Sequence, residues 1–387
     1  MPTTPAKNLL YRAALPILAP HSRGQMTHHI SGHPLTTLPN YERILAKHHV
    51  FGASLLLQDG ANCALCDTST AKPEHLAQEN TLYRVASITK MATALVTLRC
   101  IDNGLFALDS EAASLLPDGE KAPALSGVTV RHLLCHTSGL RDLPMLDSCL
   151  KEGKPYTELL RQPEIRACAP GQQLIYSNFG FGLLGCILEQ QTGLCIEPLF
   201  QEMLFHPLHM RATLDASMLN EAEIMPITRV LPYRAGQELR VTALGRHPLQ
   251  KPNPLCHYGH TAGAMYTDGR SVLQILTLIH QRGTMDEVRF ISESLMQEMT
   301  RRQSATPTRT YGLGLVILNR PEISPRQLLG HQGFAYGCVD GAFIEEETGR
   351  AVVFLNGGAS EARTGRLGLV NRDVLQWALK QEIPSWT

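Results

Sequence analysis

The stretch Leu82–Leu98 constrains the fold more than any other, because it asks for a helix with almost no polar side that still carries a lysine. Ile88, Ala92, Leu95 and Leu98 form one apolar stripe at helical spacing, and Met91, Ala94 and Val96 leave little polar surface elsewhere. Such a helix is buried. Asp102-Asn103-Gly104 then ends it, with the glycine as C-terminal cap. Ser87 and Lys90 stand at i and i+3 in its first turn, so their side chains share a face and can touch. A serine hydroxyl is a weak nucleophile until a neighbouring base takes its proton. A lysine can be that base when burial disfavours its charged form.

Spacing alone does not single out this pair. Ser148 and Lys151 repeat the S-x-x-K pattern in a polar stretch followed by Gly153 and Pro155. No apolar helix stands behind that copy, and context is what separates the two.

At 387 residues, 43% of them hydrophobic, the chain can bury a large core in more than one compact unit. Acidic and basic residues balance at 35 each, so no net charge draws it to nucleic acid or to an anionic membrane. No apolar run is long enough to span a bilayer. Ten cysteines lie scattered, which suits a reducing compartment and a cytoplasmic location better than a disulfide framework. Arg12 and Pro16 interrupt the apolar run after Lys7, so residues 1–35 read as a poorly ordered leader rather than a signal peptide.

Asn40 is placed to cap a short helix over residues 41–47. Phe51–Gln58 and Ala61–Cys66 read as strands joined by a turn at Asp59-Gly60. Cys63 and Cys66 fall on opposite faces of the second strand and lack a second ligand pair, so they read as small core residues rather than a metal site. His132 and His136, at i and i+4, lack an intervening acid or a third ligand and read as structural. Residues 142–169 read as loop and short helix, forming one wall of something not identified by the sequence.

Tyr176 and Asn178 precede a helix over residues 179–189 containing Gly180, Gly182 and Gly185, which cost helix propensity and make sense if another element packs very close. The second H-x-G of the chain, at His257, lies on no obvious strand and reads as coincidental. Val272, Leu273, Ile275, Leu276 and Ile279 mark an amphipathic helix. Four strands follow at 311–318, 328–333, 339–345 and 350–355, then a helix over 371–379. The chain is therefore α/β in the α+β sense. Residues 36–105 and 245–387 would form one domain around an antiparallel sheet, 106–244 a mainly helical lobe, and the site would lie in the cleft between them.

Ser-x-x-Lys at a helix start, Tyr-x-Asn before a glycine-rich helix and His331-Gln332-Gly333 on a late strand stand in the order and spacing of a known family. The chain resembles the serine β-lactamase and penicillin-binding-protein superfamily from about Phe51 to Gly358, closest to the branch of class C β-lactamases, D-Ala-D-Ala carboxypeptidases and related esterases. The resemblance implies a β-lactamase/transpeptidase-like fold and catalysis through an acyl-enzyme on Ser87. Lys90 and Tyr176 would share the proton transfers, and Asn178 would orient a substrate carbonyl or amide. Backbone N–H groups of Ser87 and Phe334 would form the oxyanion hole, with Gly333 letting substrate approach the strand edge. His331 would tune the field around Tyr176 or meet a substrate carboxylate, and Asn356 would bind substrate.

Gln332 departs from the small hydroxyl residue usual at its position, and bulky Phe334 follows. This disfavours β-lactam or carboxypeptidase activity and favours an ester or amide lacking the β-lactam carboxylate. The expected partner is a small-molecule ester, amide or peptide, with no metal and no cofactor. An acyltransferase or peptide cyclase of the same fold is the first alternative. A silent binding or assembly protein is the second.

Overall fold

The computed structural model describes residues 5–19, 26–33, 35, 37–70, 76–78, 80–236, 248–365 and 367–381. One antiparallel sheet of nine strands dominates it. Its strands are β1 (Thr27–Gly32), β2 (Ala53–Asp59), β3 (Asn62–Ser69), β4 (Ser304–Thr306), β5 (Arg309–Tyr311), β6 (Val316–Leu318), β7 (Leu328–Ala335), β8 (Cys338–Glu345) and β9 (Ala351–Asn356). In space they run β1-β3-β2-β9-β8-β7-β6-β5-β4. The central strands are apolar on both faces because both faces are covered. Leu56, Ala342, Ile344 and Val353 point into the larger core. Their neighbours Leu55, Leu57, Phe343 and Phe354 point into the smaller one, as the two-residue period of a strand requires.

Six longer helices pack around the sheet: α1 (Pro5–Leu18), α2 (Leu38–Lys47), α3 (Thr89–Asp102), α4 (Asn178–Thr192), α5 (Gly269–His280) and α6 (Leu369–Ala378). Helices α2 and α6 close the smaller core. The larger core holds α3, α4 and α5 and runs without a break from Val353 of the sheet through Leu95 of α3 to Leu183 of α4. Between β3 and β4 the described chain adds no strand to the large sheet.

Several elements differ from their sequence reading. The described parts of residues 1–35, expected as a poorly ordered leader, are helix α1 and strand β1. Strand β1 pairs with β3 from Thr27↔Ser69 to Gly32↔Ala64. It lies at the sheet edge, where a polar sequence such as Thr-His-His suffices and leaves no apolar alternation to read. Helix α2 starts at Leu38 after Thr37, so Asn40 is not its cap. The two-residue turn between β2 and β3 is Gly60-Ala61, flanked by Asp59↔Asn62. The stretch 311–318 is two strands, broken where Gly314 at φ +69 lies against α3; a Cβ there would sit 2.8 Å from Lys90 O.

Candidate active site

Ser87 stands in a tight 3-10 turn, Ala86–Ile88, that runs into α3. Ala86 takes φ +45, unusual for a residue with a Cβ. Backbone strain of this kind costs on the order of 1 kcal/mol and persists where surrounding contacts enforce it. Here Thr89 Oγ1 donates to Ala86 O at 2.6 Å, and Val85 N donates to Met265 O at 3.1 Å. The turn lifts the Ser87 side chain off the apolar helix and into a cleft.

Lys90 is fully buried on α3. Its Nζ reaches Ala262 O at 2.6 Å, Asn178 Oδ1 at 2.8 Å and Ser87 Oγ at 3.2 Å. Burial pulls its pKa down to about 7, against an opposing pull from the Asp142 charge. A neutral amine has two N–H donors and one lone pair. With Ala262 O and Asn178 Oδ1 taking the two donors, the lone pair is left for the Ser87 hydroxyl proton.

Tyr176 Oη donates to Ser87 Oγ at 2.9 Å from the other side. Burial pushes this phenol well up from its ordinary value, so it stays protonated and donates. The ring lies against His136, with centroids 4.2 Å apart. His136 is itself buried, accepts from Ser177 N through Nδ1 at 3.3 Å, and is held neutral by that burial. His132 caps its own short helix through Thr129. Both histidines are thus structural, and His136 additionally supports Tyr176.

Asn178 is the first residue of α4, whose cap is Ser177 accepting from Gly180 N. The Asn178 amide is held at both ends: Oδ1 accepts from Lys90, and Nδ2 donates to Asp142 Oδ2 at 2.7 Å. Asp142 Oδ1 also accepts from Phe179 N at 2.9 Å and Ser177 Oγ at 3.2 Å, at the positive end of the helix. Sequence reasoning missed Asp142. Its one signal is its place two residues beyond the Leu133–Leu140 segment, in the loop read only as a wall.

Of the three α4 glycines, Gly182 and Gly185 are required by close approach. A Cβ would meet Tyr258 O at 1.8 Å from Gly182 and Thr261 Oγ1 at 2.7 Å from Gly185. A Cβ on Gly180 would find nothing nearer than 3.5 Å.

Strand β7 forms the opposite wall. Its pairing with β6 stops at Gly330↔Val316, while its pairing with β8 continues to Ala335↔Cys338. Residues 331–335 therefore have one unpaired edge, and they lie against the Ser87 turn. A Cβ on Gly333 would come within 2.4 Å of Val85 O, so glycine is needed for that approach. His331 is buried, its Nδ1 lies 2.8 Å from Gln332 O, and burial with the nearby Lys90 charge lowers its pKa to about 3. It is a neutral imidazole, unsuited to pairing with a substrate carboxylate. Gln332 Oε1 accepts from Gly368 N at 3.1 Å and from Asn371 Nδ2 at 3.4 Å, which ties it to the start of α6. The Phe334 ring carries the Arg363 guanidinium 3.6 Å from its centroid.

These walls enclose a cavity of about 670 Å³ lined by Ser87, Asp142, Tyr176, Asn178, His331, Gln332 and Phe334. Arg84, Arg229, Tyr258, Tyr336 and Arg363 also line it, none of which the sequence reading singled out. Asn356, expected to bind substrate, is not brought there. It is buried in the sheet, where its amide accepts from Val339 N and Gly358 N and donates to Val339 O. The copy at Ser148 lies on a six-residue helix with its exposed hydroxyl donating to Met145 O at 2.8 Å.

Cys63 packs on the larger core and Cys66 in the smaller, so they cannot share an ion. Glu189, Cys195 and His257 bring ligand atoms within 4.8 Å of one another. The Glu189 carboxylate is already occupied by Ile196 N at 2.9 Å, Asn253 N at 2.7 Å and His257 Nδ1 at 2.7 Å. It works as an anchor for the 253–259 loop. Tyr258 and Gly259 of that loop line the cavity, so the second H-x-G contributes to the site although it is on no strand.

A sequence model of the family described as Beta-lactamase matches residues 40–373. The chain is 27% identical over 356 residues to esterase EstB of Burkholderia gladioli, covering 80% of this chain and 85% of that one. It is 32% identical over 157 residues to the monacolin J acid methylbutanoyltransferase of Aspergillus terreus, covering 34% of this chain and 37% of that one. The octameric penicillin-binding protein homologue from Pyrococcus abyssi superposes with a TM-score of 0.69 at 19% identity, over 88% of this chain and 76% of that one.

Proposed function

The chain belongs to the Beta-lactamase family and is a serine hydrolase, and on that premise we propose that Ser87 attacks the carbonyl of a small carboxylic ester or amide. The observation that carries this reading is the state of Lys90. A buried amine with a pKa of about 7 and both N–H donors engaged can take the Ser87 proton as the Oγ–C bond forms. Tyr176, kept protonated by burial, donates to the oxygen or nitrogen of the leaving group as its bond to the carbonyl carbon breaks. The acyl-enzyme is thus left with Lys90 as the ammonium and Tyr176 as the phenolate, both beside Ser87 Oγ. The Ser87 and Phe334 N–H groups stabilise the oxyanion. Water gives a proton to the Tyr176 phenolate as its oxygen attacks the acyl carbon, and Lys90 returns its proton to Ser87 Oγ as the Oγ–C bond breaks and the acid leaves.

An ester is favoured over a β-lactam because Gln332 and Phe334 replace the small hydroxyl surroundings that bind a β-lactam carboxylate, and because His331 is neutral. The name of EstB points the same way. All ten cysteines are free, which supports a reducing, cytoplasmic compartment. Transfer of the acyl group to an alcohol or amine is the second reading, favoured by the match to a methylbutanoyltransferase.

Release of p-nitrophenol from p-nitrophenyl butyrate tests both, with wild type, Ser87→Ala and a cephalosporin in parallel. The proposal expects ester turnover lost in Ser87→Ala and little cephalosporin cleavage. Equal turnover by Ser87→Ala would overturn it. Butyrate as sole product in the presence of added alcohol identifies hydrolysis, and an alkyl butyrate identifies transfer.

A further inference from the structure

Helix α1 presents apolar residues on both sides. Its inner face holds Asn8, Tyr11 and Leu15. Asn8 Nδ2 donates to Arg363 O at 2.8 Å, Tyr11 Oη accepts from Glu361 N at 3.0 Å, and Leu15 packs on Phe51 and Val230. At 100° per residue the opposite face consists of Ala6, Leu9, Leu10, Ala13 and Ile17. Leu9 is 68% exposed, Leu10 70% and Ile17 82%. An ordinary surface helix places charged and polar residues there.

The helix's own charges are all of one sign. Lys7 and Arg12, both exposed, flank the apolar strip on its two sides. From Met1 to Tyr41 the sequence has three basic residues, Lys7, Arg12 and Arg23, and no acidic one, although the whole chain balances at 35 of each. The balanced total concealed this local asymmetry. An apolar strip flanked by cations matches the interface of an anionic bilayer, where leucine and isoleucine enter the acyl boundary and basic side chains meet headgroups. A second copy fits less well, since two such faces would bring like charges together without an acid between them.

We propose that α1 docks the protein on an anionic lipid surface through Leu9, Leu10 and Ile17, with Lys7 and Arg12 at the headgroups. The proposal stands independently of the catalytic reading. Through Asn8 the docked helix also grips the backbone of Arg363, which lines the cleft.

Co-sedimentation of the full chain with phosphatidylcholine vesicles, with and without phosphatidylglycerol, tests it. Binding is expected with phosphatidylglycerol, weaker binding without it, and release by high salt. Leu10→Glu and Ile17→Glu each remove an aliphatic contact with the acyl boundary and are expected to weaken binding about tenfold or more. Turnover of soluble p-nitrophenyl butyrate should be unchanged in both, which shows that they fold. Failure to bind anionic vesicles, or equal binding by both variants, would overturn the proposal. A wild-type dimer that dissociates on Leu10→Glu would overturn it in favour of a second copy.

Discussion

Asp142→Asn separates the charge at this position from the shape. Asn178 bridges Asp142 and Lys90 with hydrogen bonds of 2.7 and 2.8 Å. The two charges therefore lie about 7 Å apart, worth about 2 kcal/mol at an effective dielectric near 20, or roughly 1.5 pH units. Asp142 favours the ammonium form of Lys90, in opposition to burial. Removing its charge lowers the lysine pKa further. The assay is kcat/KM for p-nitrophenyl butyrate from pH 5 to 9. Wild type should rise through a midpoint of about 7 as Lys90 loses its proton. In Asp142→Asn the midpoint should fall by roughly 1 to 1.5 units. The plateau should also fall, by about tenfold or more. The substituted amide can accept from Phe179 N only by turning its own N–H groups toward those of Asn178. A midpoint that stays put or rises would refute the assignment of the limb to Lys90. The histidines of the site cannot supply it, since His331 is pushed down to about 3 and burial also holds His136 neutral.

Three further outcomes follow from the geometry. Lys90→Met should abolish turnover yet raise the unfolding midpoint. Folding lowers the lysine pKa from 10.5 to about 7, so the unfolded chain binds more protons between those values; the gain from Met is fullest below about 7 and fades toward 10.5. Gly182→Ala should cost about 2 kcal/mol or more in urea denaturation because its Cβ meets Tyr258 O at 1.8 Å, while Gly180→Ala should be neutral or stabilising. Gln332→Thr should raise cephalosporin acylation about tenfold, by opening the wall and supplying a hydroxyl, while changing butyrate ester turnover only a few-fold.

The sequence was most legible where one period or one chemical conflict dominated. The buried lysine of Leu82–Leu98 pointed to α3 and the Ser87 side of the cleft, and alternating or apolar runs marked the central strands. Gly333, expected to admit substrate, also lies against Val85 O, while the glycines at 182 and 185 announced close approaches whose partners, Tyr258 and Thr261, lie far away in the chain. Asp142 was hidden for the same reason: its meaning depends on Asn178, 36 positions later. Asn356 misled because its role was carried over from the family resemblance, which matches a position and not the direction of an amide; here the amide is consumed by the backbone of β8. Strand β1 and helix α1 escaped because an edge strand and a helix apolar on both sides break the patterns that identify soluble elements.

The most direct test of the central claim is intact-mass spectrometry after brief mixing with p-nitrophenyl butyrate, on wild type and Ser87→Ala. A butyryl adduct on wild type alone, located in the peptide that contains Ser87, is the predicted result. An adduct that persists in Ser87→Ala or maps to Ser148 would contradict the account.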